Sequence, residues 1–135
     1  MLIVDEIPIK LYGNEIKIFA DPEFLLPNLL GGEMVKVDGK EFTAQIPMRG
    51  GGAMIAFGSI MVSSNSVTYF IDIAGYGKGK GGKIKLTLNS SIIRIEIDMK
   101  LPIEILNAGV IKGKVKDFKT KIEELLRQER IRRKL

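Results

Sequence analysis

Residues 104–130, EILNAGVIKGKVKDFKTKIEELLRQER, decide the fold. Ala108, Ile111, Val115, Phe118, Ile122, Leu125 and Leu126 recur at intervals of three and four, so their side chains stack along one face of a long amphipathic helix. That face needs an apolar partner. The chain before it alternates apolar and polar residues, the period of strands with one buried side, so the partner is expected to be a curved antiparallel sheet wrapped around the helix.

Working back from the helix, the clearest alternation lies in the last hairpin. Ile84, Leu86 and Leu88 face inward opposite Ile97, Ile95 and Ile93, which sets Lys85 against Glu96 and Lys83 against Asp98 outside. Before it, Ala53 to Ser63 turns at Ser64-Asn65 into Val67 to Ala74. Ala56, Gly58, Ile60 and Val62 then share the inner face with Val67, Tyr69, Ile71 and Ile73. Ile55, Phe57, Met61 and Phe70 are left outside, an apolar patch that suggests a homodimer or protein contact. Asp38-Gly39 reads as a two-residue hairpin joining Glu33–Val37 to Lys40–Met48, with Val35 opposite Phe42 and Lys36 opposite Glu41. Two short helices are expected after the first strand, Leu2 to Leu11. One runs from Asn14 to Ala20; the other opens on Asp21 as N-cap and Pro22 at the first helical position, and ends at Gly31-Gly32. The result is an α+β domain over 1–135: seven strands, two short helices, a long C-terminal helix, and a basic extension from about residue 127.

Composition narrows the chemistry. The 135 residues suit one domain, and a hydrophobic fraction of 45% with net charge +5 belongs to a folded chain. Cys, His and Trp are absent. Disulfides, thiolate nucleophiles and the usual zinc ligands are therefore excluded, and no metal or cofactor is expected. Heavy use of Ile, Lys and Glu gives the chain a thermophile-like composition. The N-terminus lacks the basic start and apolar core of a signal peptide, and no stretch approaches a membrane span, so the cytoplasm is the expected location.

The order strand, two short helices, six strands and long helix resembles the helix-grip (SRPBCC) fold of START-type lipid-binding domains and the birch-pollen allergen. Asp21-Pro22-Glu23 followed by Leu25, Glu41-Phe42-Thr43-Ala44, the glycine-rich run from Gly75 to Gly82, and Gly109 are similar to the carbon monoxide dehydrogenase G-subunit family. The chain departs from that family in lacking a Trp in the first helix and in having Leu29-Leu30-Gly31 where Ile-Pro-Gly is usual. The resemblance implies a noncatalytic accessory protein. Such a protein would bind an apolar ligand, lipid or quinone-like, and help bring a molybdenum-containing dehydrogenase to the membrane.

Phe42, Met48, Ile60, Tyr69, Ile71, Ile95, Phe118 and Ile122 are expected to line the space between sheet and helix. Pattern alone does not separate a filled core from a cavity, since both need apolar walls; the resemblance implies a cavity. Gly77-x-Gly79-x-x-Gly82 matches a dinucleotide fingerprint literally, but that motif needs a helix to follow and a strand follows here. Lys78 and Lys80, beside the backbone amides of that run, are expected to hold an anion no more than weakly. No catalytic residue emerges, because the carboxylates fall on outer faces or beside Lys. An enzyme of the cyclase or hydrolase kind, using Asp, Glu or Tyr in the cavity, is one alternative. A basic nucleic-acid-binding module is another, although the positive charge gathers at the C-terminus and not along a groove with aromatics. Arg127, Arg130, Arg132, Arg133 and Lys134 follow the end of the apolar stripe at Leu126. They are expected to lie outside the core and to contact a partner or an anionic membrane surface.

Overall fold

The computed structural model describes residues 1–76, 81–100 and 108–135. Its elements run β1 (Leu2–Pro8), α1 (Glu15–Phe19), α2 (Pro22–Leu30), β2 (Glu33–Asp38), β3 (Glu41–Pro47), β4 (Ala53–Val62), β5 (Ser66–Ile73), β6 (Gly82–Asn89), β7 (Ile92–Met99) and α3 (Ala108–Arg133). The strands form one antiparallel sheet in the order β1-β7-β6-β5-β4-β3-β2. Its concave face is buried against the three helices, and the core draws on every strand except the edge strand β2. The expected architecture, an α+β fold with a curved seven-stranded sheet wrapped around a long C-terminal helix, is the one observed.

Local chemistry accounts for the helix boundaries. The Asp21 carboxylate accepts from Glu23 N at 2.9 Å, which satisfies one free donor of α2, and Pro22 sits where its missing N–H costs nothing. Gly31, at φ 68°, ends α2 in the left-handed conformation. On α3, Ile111, Val115, Phe118, Ile122 and Leu126 are buried, as the spacing requires. Of the helix expected from Glu104, residues 104–107 lie outside the described residues.

The β6–β7 register is the one expected, with Lys85 opposite Glu96 and Lys83 opposite Asp98. Three expectations need correction. In the β2–β3 hairpin Val37, not Val35, faces Phe42, and Lys36 faces Thr43. Gly39, at φ 62°, occupies the first of the two turn positions, so the turn is Gly39-Lys40 and the register moves by two. The shift keeps Phe42 inward because the side-chain period is two. A bulge between Glu33 and Lys36, with Met34 at φ 50°, then bends the edge strand. Val62, expected inside, is 51% exposed. β3 begins at Glu41 opposite Ser59, so the end of β4 has no strand on that side. Finally, α3 does not stop near Arg130 but continues to Arg133.

Gly58 marks a close approach of two strands. A Cβ there would lie 1.8 Å from the Phe70 carbonyl oxygen, a separation no side chain tolerates. β4 and β5 therefore approach at that point more closely than any other residue allows.

Candidate functional site

The inner wall is built by alternation. Phe42, Ile60, Tyr69, Ile71 and Ile95 come from the strands and Phe118 and Ile122 from α3, and all are buried; Met48, just past β3, is partly buried. Two aromatic groups divide the wall. Phe42 and Tyr69 meet with ring centroids 5.7 Å apart, whereas Phe118 packs against Phe19 of α1 and Phe24 of α2 at 6.4 and 6.2 Å. The Tyr69 hydroxyl joins the groups by donating to the Phe19 carbonyl at 2.6 Å. Burial, reinforced by the Asp21 charge, holds the Tyr69 pKa well above its usual value, and Arg133 only partly opposes this. The hydroxyl is thus a fixed donor that does not titrate in the ordinary range. The grip forms an apolar-walled pocket of a composition suited to an apolar ligand. In this structure the wall side chains pack against one another.

An opening lies at one end of the grip. It has a volume of about 270 Å³ and lies between the β1–α1 connection, the β4–β5 turn and the β6–β7 turn. Leu11, Ile16 and Leu88 supply its apolar surface, and Asn65, Ser90 and Glu15 its polar rim. A second and larger opening, about 520 Å³, separates Lys10 and Tyr12 from α3 and is lined by Glu123, Glu124, Arg127 and Arg130. Sequence reasoning finds neither, because the first is made by loops whose convergence leaves no periodic trace and the second by the way the chain after β1 runs past α3.

Sequence reasoning also misses Glu15. Its carboxylate is fully buried and accepts from Tyr12 N and Gly13 N at 2.9–3.0 Å and from Arg130 Nε and Nη2 at 3.2 and 2.7 Å. Burial pushes its pKa upward, but Arg130 and the backbone N–H groups of Tyr12, Glu15 and Gly13 together outweigh that, and the net shift is downward. Glu15 is therefore a paired anion at neutral pH. The Arg130 guanidinium also stacks over the Tyr12 ring, 4.7 Å from its centroid. An inner-face carboxylate is present as well: Asp5 of β1, opposite Ile95, reaches Lys119 of α3 at 3.1 Å and ties the helix to the sheet edge.

The basic tail departs in part from expectation. Its five cations do lie outside the buried core, but the segment continues α3, and two of them, Arg130 and Arg133, turn back onto the short helices while Arg127 and Arg132 pair along α3 itself. Arg130 binds Glu15, Arg133 binds Asp21 and Glu129, Arg132 binds Glu129, and Arg127 binds Glu124. Glu129, on the angle of the apolar stripe, is accommodated because Arg132 and Arg133 neutralise it. Hydrogen bonding from Arg132 leads in lowering its pKa to about 2, against a smaller opposing effect of burial. Lys134 alone of the five cations makes no ion pair among the described residues.

Of the glycine-rich run, residues 77–80 lie outside the described residues, so the weak anion contact expected of Lys78 and Lys80 does too. Gly82 opens strand β6 and not a helix, so the dinucleotide reading lacks its phosphate-binding element. Among the described residues no three His, Cys, Asp or Glu side chains gather into a metal cluster. No described helix is long and apolar enough to cross a membrane.

A family profile matches residues 1–135, the whole chain. No curated protein matches the sequence. Among solved structures, a hypothetical protein from Sulfolobus tokodaii superposes with a TM-score of 0.83 at 19% identity, covering 98% of this chain and 99% of that one. A protein from Deinococcus radiodurans gives 0.63 at 12% identity over 91% and 97%. One from Mesorhizobium loti gives 0.55 at 16% over 95% and 98%. At these identities the likeness speaks for the fold.

Proposed function

Since the chain belongs to the helix-grip, SRPBCC-like proteins, we propose that it is a noncatalytic accessory protein that takes up an apolar ligand, lipid or quinone-like, between sheet and α3. The observation that carries this reading is the wall itself. It is aliphatic and aromatic on every strand it uses, and the opening lined by Leu11, Ile16 and Leu88 lies at one end of the grip. Entry would part the packed side chains there. The ionisable groups nearby support binding over chemistry: Glu15 is committed to Arg130, and Tyr69 to a backbone carbonyl. Neither is poised to exchange a proton near neutrality.

The resemblance of Asp21-Pro22-Glu23, Glu41-Phe42-Thr43-Ala44 and Gly109 to the carbon monoxide dehydrogenase G-subunit family extends the proposal. The protein would help recruit a molybdenum-type dehydrogenase to the membrane. Helix α3 carries nine Lys and Arg against four Asp and Glu, and Lys112, Lys114 and Lys116 lie exposed along its first half. With the tail arginines paired, those lysines are the better candidates for contact with anionic headgroups.

Native mass spectrometry of protein purified without denaturant tests the ligand. The expected result is a defined added mass on the 15.0 kDa chain, or saturable uptake of an added ubiquinone analogue or palmitate that Leu88→Glu abolishes. A bare chain that takes up neither probe would overturn the reading. Pull-down from native extract, with molybdenum assayed in the eluate, tests the partner; eluate without molybdenum overturns it.

A further inference from the structure

We infer that the convex face of the sheet over β4 and β5 is the interface of a two-fold dimer of this chain. Ile55, Phe57, Met61 and Phe70 lie there with 46, 42, 61 and 40% of their surface exposed. They occupy adjacent strands at the middle of the sheet, where they form one patch.

The occupant is identified by the residues that flank the patch. Glu41 of β3 pairs with Ser59 of β4, Ser59 with Phe70 of β5, and Phe70 with Lys83 of β6, so the four stand in one row across the sheet. The row is self-complementary. Two convex faces meeting about a two-fold axis that runs between β4 and β5, parallel to them, place β6 over the partner's β3 and β5 over the partner's β4. Lys83 then lies over the partner's Glu41, and the Phe70 ring over the small Ser59 of the partner. In the next row the same operation sets Met61 over the partner's Thr68. Each contact occurs twice, as a two-fold interface requires.

One further observation favours this pairing. Lys83 and Glu41 are exposed, and neither makes an ion pair among the described residues. The outer row ends, Asp38 on β2 and Asp98 on β7, would face like charges if the sheets were flat. They lie on the receding flanks of two convex surfaces, so the contact is confined to β3–β6.

Sedimentation velocity across a concentration series tests the inference, with thermal melts reporting that each variant is folded. The wild-type chain is expected to reach twice 15.0 kDa, and Phe70→Glu to remain a monomer. Glu41→Lys sets like charges together at both symmetric contacts and should weaken dimerisation on the order of tenfold or more. Glu41→Lys with Lys83→Glu should restore it. Within one chain those residues stand three strands apart, roughly 14 Å, so the rescue acts between copies. A wild-type monomer at every concentration, a dimer indifferent to Phe70→Glu, or a double variant no better than the single would each overturn the inference.

Discussion

Glu15 is the residue on which sequence and structure differ most. In sequence it is one acidic side chain in a short helix; in space it is a buried anion held by Arg130, 115 positions away. Glu15→Gln leaves the guanidinium without its counter-charge and is expected to lower stability by about 2–4 kcal/mol, measured by urea unfolding at neutral pH. The pH dependence follows from the same pairings. Glu15 and Glu129 are both held below their usual value of 4.5, so the unfolded chain binds their protons more readily than the folded one. Their contribution is complete above that value and is lost as pH falls, through about 2 for Glu129. Unfolding free energy should therefore decline across that window, with a shallower decline in Glu129→Gln. Tyr69→Phe tests the other buried polar contact. It strands the Phe19 carbonyl and should cost about 1–3 kcal/mol, with no change in the pH profile.

Alternation makes most of the strands legible in the sequence. The β6–β7 hairpin is the clearest case, because apolar pairs on one face and opposite charges on the other agree on a single register. Glu96→Lys alone should destabilise by a few tenths to about 1 kcal/mol, and adding Lys85→Glu should recover most of it. Equal effects of single and double variants in thermal melts would contradict a direct coupling. Glu96 does lie within 3.4 Å of Arg94 on its own strand, which leaves Arg94 as a shared partner. The β2–β3 hairpin differs from its expected register by two residues because Asp-Gly identifies a turn without saying which position Gly39 takes. Gly58 belongs to this scale also. Gly58→Ala forces a Cβ against the Phe70 carbonyl, and a loss of about 3 kcal/mol is expected, visible as a lowered urea midpoint.

For the whole molecule, the end of α3 works as a clasp between the long helix and the two short ones. A chain ending at Leu126 would lose the Arg130 and Arg133 contacts to Glu15 and Asp21, and its Tm should fall by about 10 °C. A tail serving only as a detached membrane anchor would leave Tm unchanged on removal. Vesicle co-sedimentation with Lys112→Glu/Lys116→Glu then asks separately whether the first half of α3 carries the lipid contact, with weaker binding to anionic vesicles expected.

What this sequence determined by itself is whatever repeats at short range. The helix stripe from Ala108 to Leu126, the alternating strands, the Asp21-Pro22 cap and the Gly31 stop follow from backbone periods and from the conformations single residues accept. The tertiary structure alone decided how charges and loops meet. Arg130 and Arg133 look like solvated cations along the chain because Coulomb attraction depends on distance in space, and only the path of α3 past α1 and α2 brings their carboxylates near. The opening beside Leu11, Ile16 and Leu88 has the same origin, since three loops that share no period come together only after the sheet has curved.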